Sequence, residues 1–143
     1  MPFRLQVDIV SAEAQIFSGK AEMVVAPSVN GELGILPHHA PLLARLKPGV
    51  VRIIVGGDTE ESVFVSGGLI EVQPYVVTIL ADTAQRSKDL DEAAARAAKE
   101  RIEKELEGHR YAPADYARLQ AELNLSVAIL RSLEHLRDLK RRR

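Results

Sequence analysis

The chain has 143 residues, enough for one or two small domains. A formal net charge of −1 argues against nucleic acid or an anionic membrane as the main partner, and the absence of cysteine excludes disulfides and thiolate chemistry. No apolar run reaches the ~18 residues that cross a bilayer. The amino terminus enters strand-like alternation with neither a signal-peptide core nor an Arg/Ser-rich transit segment, which reads as a bacterial-type cytosolic protein or an organelle-encoded one.

Up to Ser87 the composition is that of a β domain. Eight of the nine glycines and six of the seven prolines lie there, with most of the Val and Ile, in short alternating runs. The runs predict strands over residues 3–10, 13–17, 20–26, 31–36, 42–46, 50–55, 60–66, 69–73 and 76–80. Ser-Val-Asn-Gly, Lys-Pro-Gly and Gly-Gly-Asp punctuate them at intervals of about ten residues, and no helix-length segment intervenes, so an antiparallel sandwich is expected rather than a βαβ scheme.

From Ser87 onward the texture is helical. Asp89 with Glu92 three residues later resembles a capping box. Gly108 can end a first helix and Pro113 can open a second at its first turn, leaving a short connection and hence an antiparallel hairpin. The fold class expected is therefore β plus α: a sandwich over residues 1–86 followed by a two-helix hairpin over residues 87–143. On the first helix Leu90, Ala94, Ala97, Ala98, Arg101, Ile102, Glu105 and Leu106 recur at three- and four-residue steps. Alanine allows close approach but buries little area, at roughly 0.8 kcal/mol per CH₂, so this seam is expected to hold loosely. The second helix carries two apolar stripes, Tyr116, Leu119, Leu123, Val127 and Leu130, and Leu125, Ile129, Leu133 and Leu136. One can meet the first helix and the other needs another surface. At about 28 residues against about 20, the second helix is expected to overhang by roughly 12 Å, with its basic end outermost.

Residues 1–86 carry 6 basic and 9 acidic side chains, whereas residues 87–143 carry 13 and 11. In the last fifteen residues Arg131, Arg137, Lys140, Arg141, Arg142 and Arg143 face only Glu134 and Asp138. Two readings stand: a solubilising helix end whose cations suit the dipole, or an electrostatic latch onto an acidic partner. Classical chemistry is scarce. His38 and His39 are adjacent and would point to opposite sides of a strand, with no paired third and fourth metal ligand nearby. Ser66-Gly67-Gly68 lacks the nucleophile-elbow pattern, no phosphate-binding Walker loop occurs, and His109 and His135 read as solvated. No active site assembles from these residues, and no cofactor or metal is expected. An alternative remains a free-standing sandwich that binds a small molecule or peptide, for which six aromatics in the whole chain provide little lining.

Several segments carry a family resemblance. They are Val10-Ser-Ala-Glu with Phe17-Ser-Gly, the Gly31 to Leu43 segment GELGILPHHAPLL, Lys47-Pro-Gly, Ser66 through Asp82, Asp89-Leu-Asp-Glu-Ala and Leu125-Ser-Val-Ala. In this order, and with the sandwich-then-hairpin layout, the chain resembles the epsilon subunit of the rotary ATP synthase, called delta in mitochondria. The resemblance implies a non-catalytic rotor subunit, peripheral to the cytoplasmic face of the bacterial inner membrane, whose partners are the gamma subunit, the ring of c subunits and the catalytic beta and alpha subunits. It also implies that Glu32, Gly34, His38 and His39 lie on or near the c-ring contact, and that Ser66, Gly67, Gly68 and Glu71 lie nearer gamma. The family commonly has glycine where His38 stands.

The hairpin of such subunits switches between a form folded on the sandwich and an extended form that blocks ATP hydrolysis, so the resemblance assigns Arg131, Arg137, Lys140 and Arg141 to the inhibitory contact. Some bacterial members bind ATP through an Ile/Leu-Asp-x-x-Arg-Ala motif. Here that stretch reads Leu90-Asp91-Glu92-Ala93-Ala94-Ala95; Asp91 is kept, but the arginine position is Ala94, and Gln120 and Asn124 on the second helix are uncharged. ATP binding is therefore expected to be weak or absent.

Overall fold

The structure, a computed structural model, describes residues 3–107 and 110–141. Gly108 as helix terminator, His109, and Arg142 and Arg143 at the basic end lie outside the described residues. The chain divides into two compact units, residues 1–87 and 88–143.

The first unit contains ten strands among the described residues: β1 Leu5–Val10, β2 Gln15–Ala21, β3 Met23–Ser28, β4 Gly31–Ile35, β5 Leu42–Leu46, β6 Gly49–Gly56, β7 Thr59–Val65, β8 Gly68–Val72, β9 Val76–Ala81 and β10 Ala84–Arg86. The break expected after Phe17 does not occur, because Gly19 keeps its place in the ladder opposite Val7 and β2 runs on to Ala21. β10 has too little alternation to be expected from sequence; its pairing with Val63, Phe64 and Val65 of β7 defines it. The strands run in the order β10-β7-β6-β3-β5-β8-β9-β1-β2, with β4 on β3. All pairings are antiparallel except β1 with β9, which run parallel from Gln6↔Val76 to Val10↔Leu80. A parallel neighbour needs a long connection, and the sixty-odd residues between these two strands supply it.

β3 pairs with β6 through Met23–Val25 but meets β5 only at Ser28↔Leu46, so the sheet passes from one layer to the other at this point. The opposite edges are joined by Arg86, whose guanidinium donates to the Ile16 carbonyl at 3.2 Å and lies 5.8 Å from the centre of the Phe17 ring. Between the layers Leu5, Val7 and Ile9 of β1 pack with Ile53, Val63, Ile70, Ile79 and other aliphatic side chains in a fully buried cluster without aromatics. The period-two alternation of buried and accessible residues in β1, β5 and β8 puts every second side chain into this cluster. The architecture is the expected sandwich followed by a helical hairpin.

In the second unit a 3-10 turn, Ser87–Asp89, which begins at the last residue of the first, leads to α1 Glu92–Leu106, and α2 spans Pro113–Arg141. Asp91, rather than Asp89, caps α1: its backbone is extended and its carboxylate accepts the Ala94 N–H at 3.0 Å. Pro113 opens α2, as its fixed φ and missing N–H favour. The helices are antiparallel, with Arg101 donating to Glu122 at 2.8 Å and Arg137 paired with Glu92.

The α1 seam keeps Ala98, Ile102 and Leu106 of the expected set, but Ala95 takes the place of Ala94 and Ala97. Ala95 and Ile102 are buried, with Ala98 and Leu106 partly so, while Ala94 and Ala97 are exposed. An almost uniform run of alanines cannot fix a helix rotation, so the bulk of Ile102 decides it. On α2 the buried residues are Leu119, Ser126 and Ser132; the leucines and isoleucine of both expected stripes beyond Leu119 remain half-buried, and Tyr116 is exposed. The two serine hydroxyls donate to the carbonyls four residues back, Glu122 at 3.2 Å and Ala128 at 2.9 Å, which lets small polar side chains occupy buried positions. The overhang also differs. α2 has 29 residues against 15 for α1, yet Arg137 stands beside the first turn of α1, so only the last described turn, with Lys140 and Arg141, projects past it.

Candidate functional site

Cross-strand registers align the outer-facing residues of β5, β8 and β9 in two rows: Arg45, Leu69 and Leu80, then Leu43, Glu71 and Thr78. Partners directly opposite share a face, and i, i+2 neighbours share it too. Leu43 is 66% exposed, Leu69 40% and Leu80 55%, while Ile70, Val72, Val77 and Ile79 on the reverse face are buried. Two shallow clefts flank this patch, one of about 370 Å³ bounded by Pro41, Leu43, Glu71 and Gln73, the other of about 310 Å³ bounded by Arg45, Gly68, Leu69 and Asp82. A cluster of large exposed aliphatic side chains rimmed by charges is the composition of a protein-docking surface. Of the residues expected near gamma, Gly68 and Glu71 border this patch.

Ser66 and Gly67 serve the turn that ends it. Ser66 Oγ accepts from the Thr83 backbone N–H at 2.9 Å and from the Thr83 hydroxyl at 2.7 Å, and Asp82 N–H donates to the Gly67 carbonyl. Gly67 and Gly68 have φ of 131° and 136°, and a Cβ on Gly68 would stand 2.2 Å from the Leu80 carbonyl oxygen. The Gly-Gly pair is therefore required for β8 to approach β9.

The residues expected at the c ring fall into two groups. Glu32 and Gly34 are exposed on β4, opposite Pro27 and Val25 of β3. His38 and His39 lie in the loop beyond the far end of that strand. His38 N–H donates to the Pro74 carbonyl at 2.8 Å and its Nδ1 is 3.2 Å from the Tyr75 hydroxyl. The ring stands edge-on to Phe3, 4.7 Å between centres, and to Tyr75, 5.0 Å. His38 thus ties the β4–β5 loop to the β8–β9 turn and the start of the chain. Its φ is 71°, in the left-handed region where glycine is at ease, which gives a physical basis for a small residue here. His39 turns its Nδ1 to the Ala40 carbonyl at 2.7 Å. Among the described residues, no three His, Asp or Glu side chains are placed to hold a metal.

On the hairpin, Asp91 is occupied in capping α1. Glu92 accepts hydrogen bonds from Arg137 and Arg96, and these, Arg137 foremost, hold its carboxyl below the usual carboxylate range; the same contact raises the Arg137 guanidinium. Arg141 pairs with Asp138 at 4.0 Å. Arg131 and Lys140 are exposed without an acidic partner among the described residues. Sequence reasoning missed the Leu43, Leu69 and Leu80 patch and the Glu92 pairing.

The family profile described as ATP synthase, Delta/Epsilon chain, beta-sandwich domain matches residues 4–87. The chain is also 55% identical to the ATP synthase epsilon chain of Halorhodospira halophila, over 96% of this chain and 98% of that one. It belongs to the ATP synthase epsilon-chain family. A second epsilon chain, from Thioalkalivibrio sulfidiphilus, is 57% identical over 96% of this chain and 97% of its own length. Among solved structures, a chain of the Euglena gracilis mitochondrial ATP synthase, in an assembly of OSCP, F1 and c-ring, superposes with a TM-score of 0.75 at 21% identity. The match covers 95% of this chain and 82% of that one, and shows a shared fold.

Proposed function

We propose that the chain is a non-catalytic subunit of the ATP synthase central stalk, that its sandwich couples the rotor parts, and that its hairpin restrains ATP hydrolysis. The sandwich docks on the gamma subunit through the outer face of β5, β8 and β9, bordered by Gly68 and Glu71, with Ser66 and Gly67 shaping its edge. Glu32, Gly34, His38 and His39 approach the polar loops of the c ring. Arg131, Arg137, Lys140 and Arg141 meet acidic surface on the catalytic beta and alpha subunits when the hairpin extends. The subunit sits peripherally at the cytoplasmic face of the membrane through these partners. Asp91 is committed to its cap, and with Ala94 in the arginine position ATP binds weakly or not at all.

The observation that carries this reading is the exposure of Leu43, Leu69 and Leu80 on a sheet whose other face is complete. Three such side chains together leave apolar surface that a partner can cover, each at roughly 25 cal/mol per Å² removed from water. Leu43→Asp combined with Leu69→Asp should abolish co-assembly with gamma in reconstitution while leaving the thermal unfolding of the free chain nearly unchanged. Retention of gamma by that variant would refute the docking face.

A further inference from the structure

We propose that Glu92 is a latch on the closed hairpin, and that Arg137 is exchanged between Glu92 and an acidic partner surface, so that holding the helix pair closed and engaging the brake compete for one guanidinium. This deepens the braking role proposed above and rests on it.

The cation pairings around the groove between the free ends of the helices single out Arg137. The groove encloses about 380 Å³ and is bounded by Glu92, Arg96 and Lys99 of α1 and by Glu134, Arg137 and Arg141 of α2, among others. Arg96 pairs with Glu92, Lys99 with Glu103 and Arg141 with Asp138, each within its own helix. Those contacts survive separation of the helices. The Arg137 pairing with Glu92, 45 residues away, does not; on its own helix Arg137 keeps only the through-space pull of Glu134, three residues back. The second cross-helix ion pair, Arg101 to Glu122, has a fallback, because Arg101 also lies 3.6 Å from Glu105 on its own helix. Glu92 therefore stands between two guanidiniums at the one end of the hairpin where separation would begin, opposite the connection. It is also in the first turn of α1, where a carboxylate suits the helix dipole.

The charge count at the basic end follows from this. In the closed hairpin Arg131 and Lys140 are the α2 cations near that end without an acidic partner among the described residues, and Arg137 leaves its hydrogen bond to join them only when Glu92 lets it go. A partner carboxylate and Glu92 then bind Arg137 alternately, and by linkage whatever weakens one strengthens the other. The pair is exposed, so the gate is a weak one, suited to a switch that must move in both directions.

The test is a double-mutant cycle in the full chain, with Glu92→Gln, Arg137→Gln and both together, reading amide hydrogen exchange over the first two turns of α1. Each single change should speed exchange by about two- to five-fold, the scale of an exposed pair, and the double change should add little to the larger single effect. Additive effects would overturn the latch, since loss of a carboxylate at the helix start alone would then explain Glu92→Gln. In the assembled enzyme Glu92→Gln should deepen inhibition of hydrolysis by a similar factor. Coupled exchange with unchanged hydrolysis, in an enzyme that is relieved when the hairpin is removed, would overturn the exchange of Arg137. If removing the hairpin relieves nothing, the brake itself fails, and the gate with it.

Discussion

The sandwich and the hairpin are held together in different ways. In the sandwich, 17 buried side chains form one aliphatic cluster, and the two edges are tied by Arg86. In the hairpin, the buried apolar residues among those described are Ala95, Ile102 and Leu119, the other buried positions are the serines Ser126 and Ser132, and half-buried aliphatic side chains and exposed ion pairs contribute the rest. A core of the first kind has one good packing, because removing any member leaves a cavity. A seam of the second kind gains less by closing and loses less by opening. The difference suits a fixed platform joined to a part that can be repacked.

The sharpest way to break the platform is Gly68→Ala. Its Cβ would collide with the Leu80 carbonyl oxygen at 2.2 Å on a backbone of φ 136°, so the sandwich should lose roughly 3 kcal/mol or more in denaturant unfolding. Ile102→Ala should cost about 2–4 kcal/mol, all of it in the hairpin: helical circular dichroism should fall while amide exchange in β1 and β9 stays protected. If β-strand protection fell as well, the two regions would not be energetically separate.

His38 provides a subtler test. His38→Ala keeps the left-handed backbone strain and loses the ring contacts with Phe3 and Tyr75, so it should destabilise by about 1–2 kcal/mol, whereas His38→Gly removes the strain of about 1 kcal/mol and should cost less. A thermal melt in which the glycine variant was the less stable would show that the backbone is not strained there.

The smallest effect concerns pH. The folded Glu92 carboxyl lies below its ordinary value of 4.5, chiefly through Arg137. A depressed carboxyl supports the folded state above its unfolded value, and this support is lost as pH falls through the lower folded value. Acidification from about pH 6 to about pH 3 should therefore loosen the wild-type hairpin more than the Glu92→Gln hairpin, as read by exchange over α1. Equal loosening would remove Glu92 from the account.

Much of this comparison was legible in the sequence, and its gaps have physical causes. β5 matches the expected strand residue for residue, and Pro113 opens α2 where its missing N–H is harmless. The exposed patch was hidden because Leu69-Ile70 and Ile79-Leu80 place apolar residues on both faces of their strands, and alternation alone does not say which member of such a pair faces inward. β10 owes its existence to β7 rather than to its own residues. Ala98, Ile102 and Leu106 keep their expected place, whereas Ala95 replaces Ala94 and Ala97 because a run of alanines has no preferred face, and Ser126 and Ser132 give no burial signal because their hydroxyls are satisfied within their own helix. The expected inhibitory set is split for the same reason: a basic tail looks uniform until Glu92, 45 residues earlier, singles out Arg137.

The structure also fixes where the two regions can be parted. Ending the chain at Ala84 would remove Arg86 and Ser87, whose hydroxyl lies 2.7 Å from that of Ser62 in a buried pair, and so damage the platform along with the brake. The most direct measurement is ATP hydrolysis by the reconstituted catalytic head and gamma subunit, with the full chain and with a form ending at Ser87. Inhibition by the full chain alone, with both forms bound to gamma, is the predicted result. Equal inhibition by the two forms, or none by either while both are bound, would contradict the division into platform and brake.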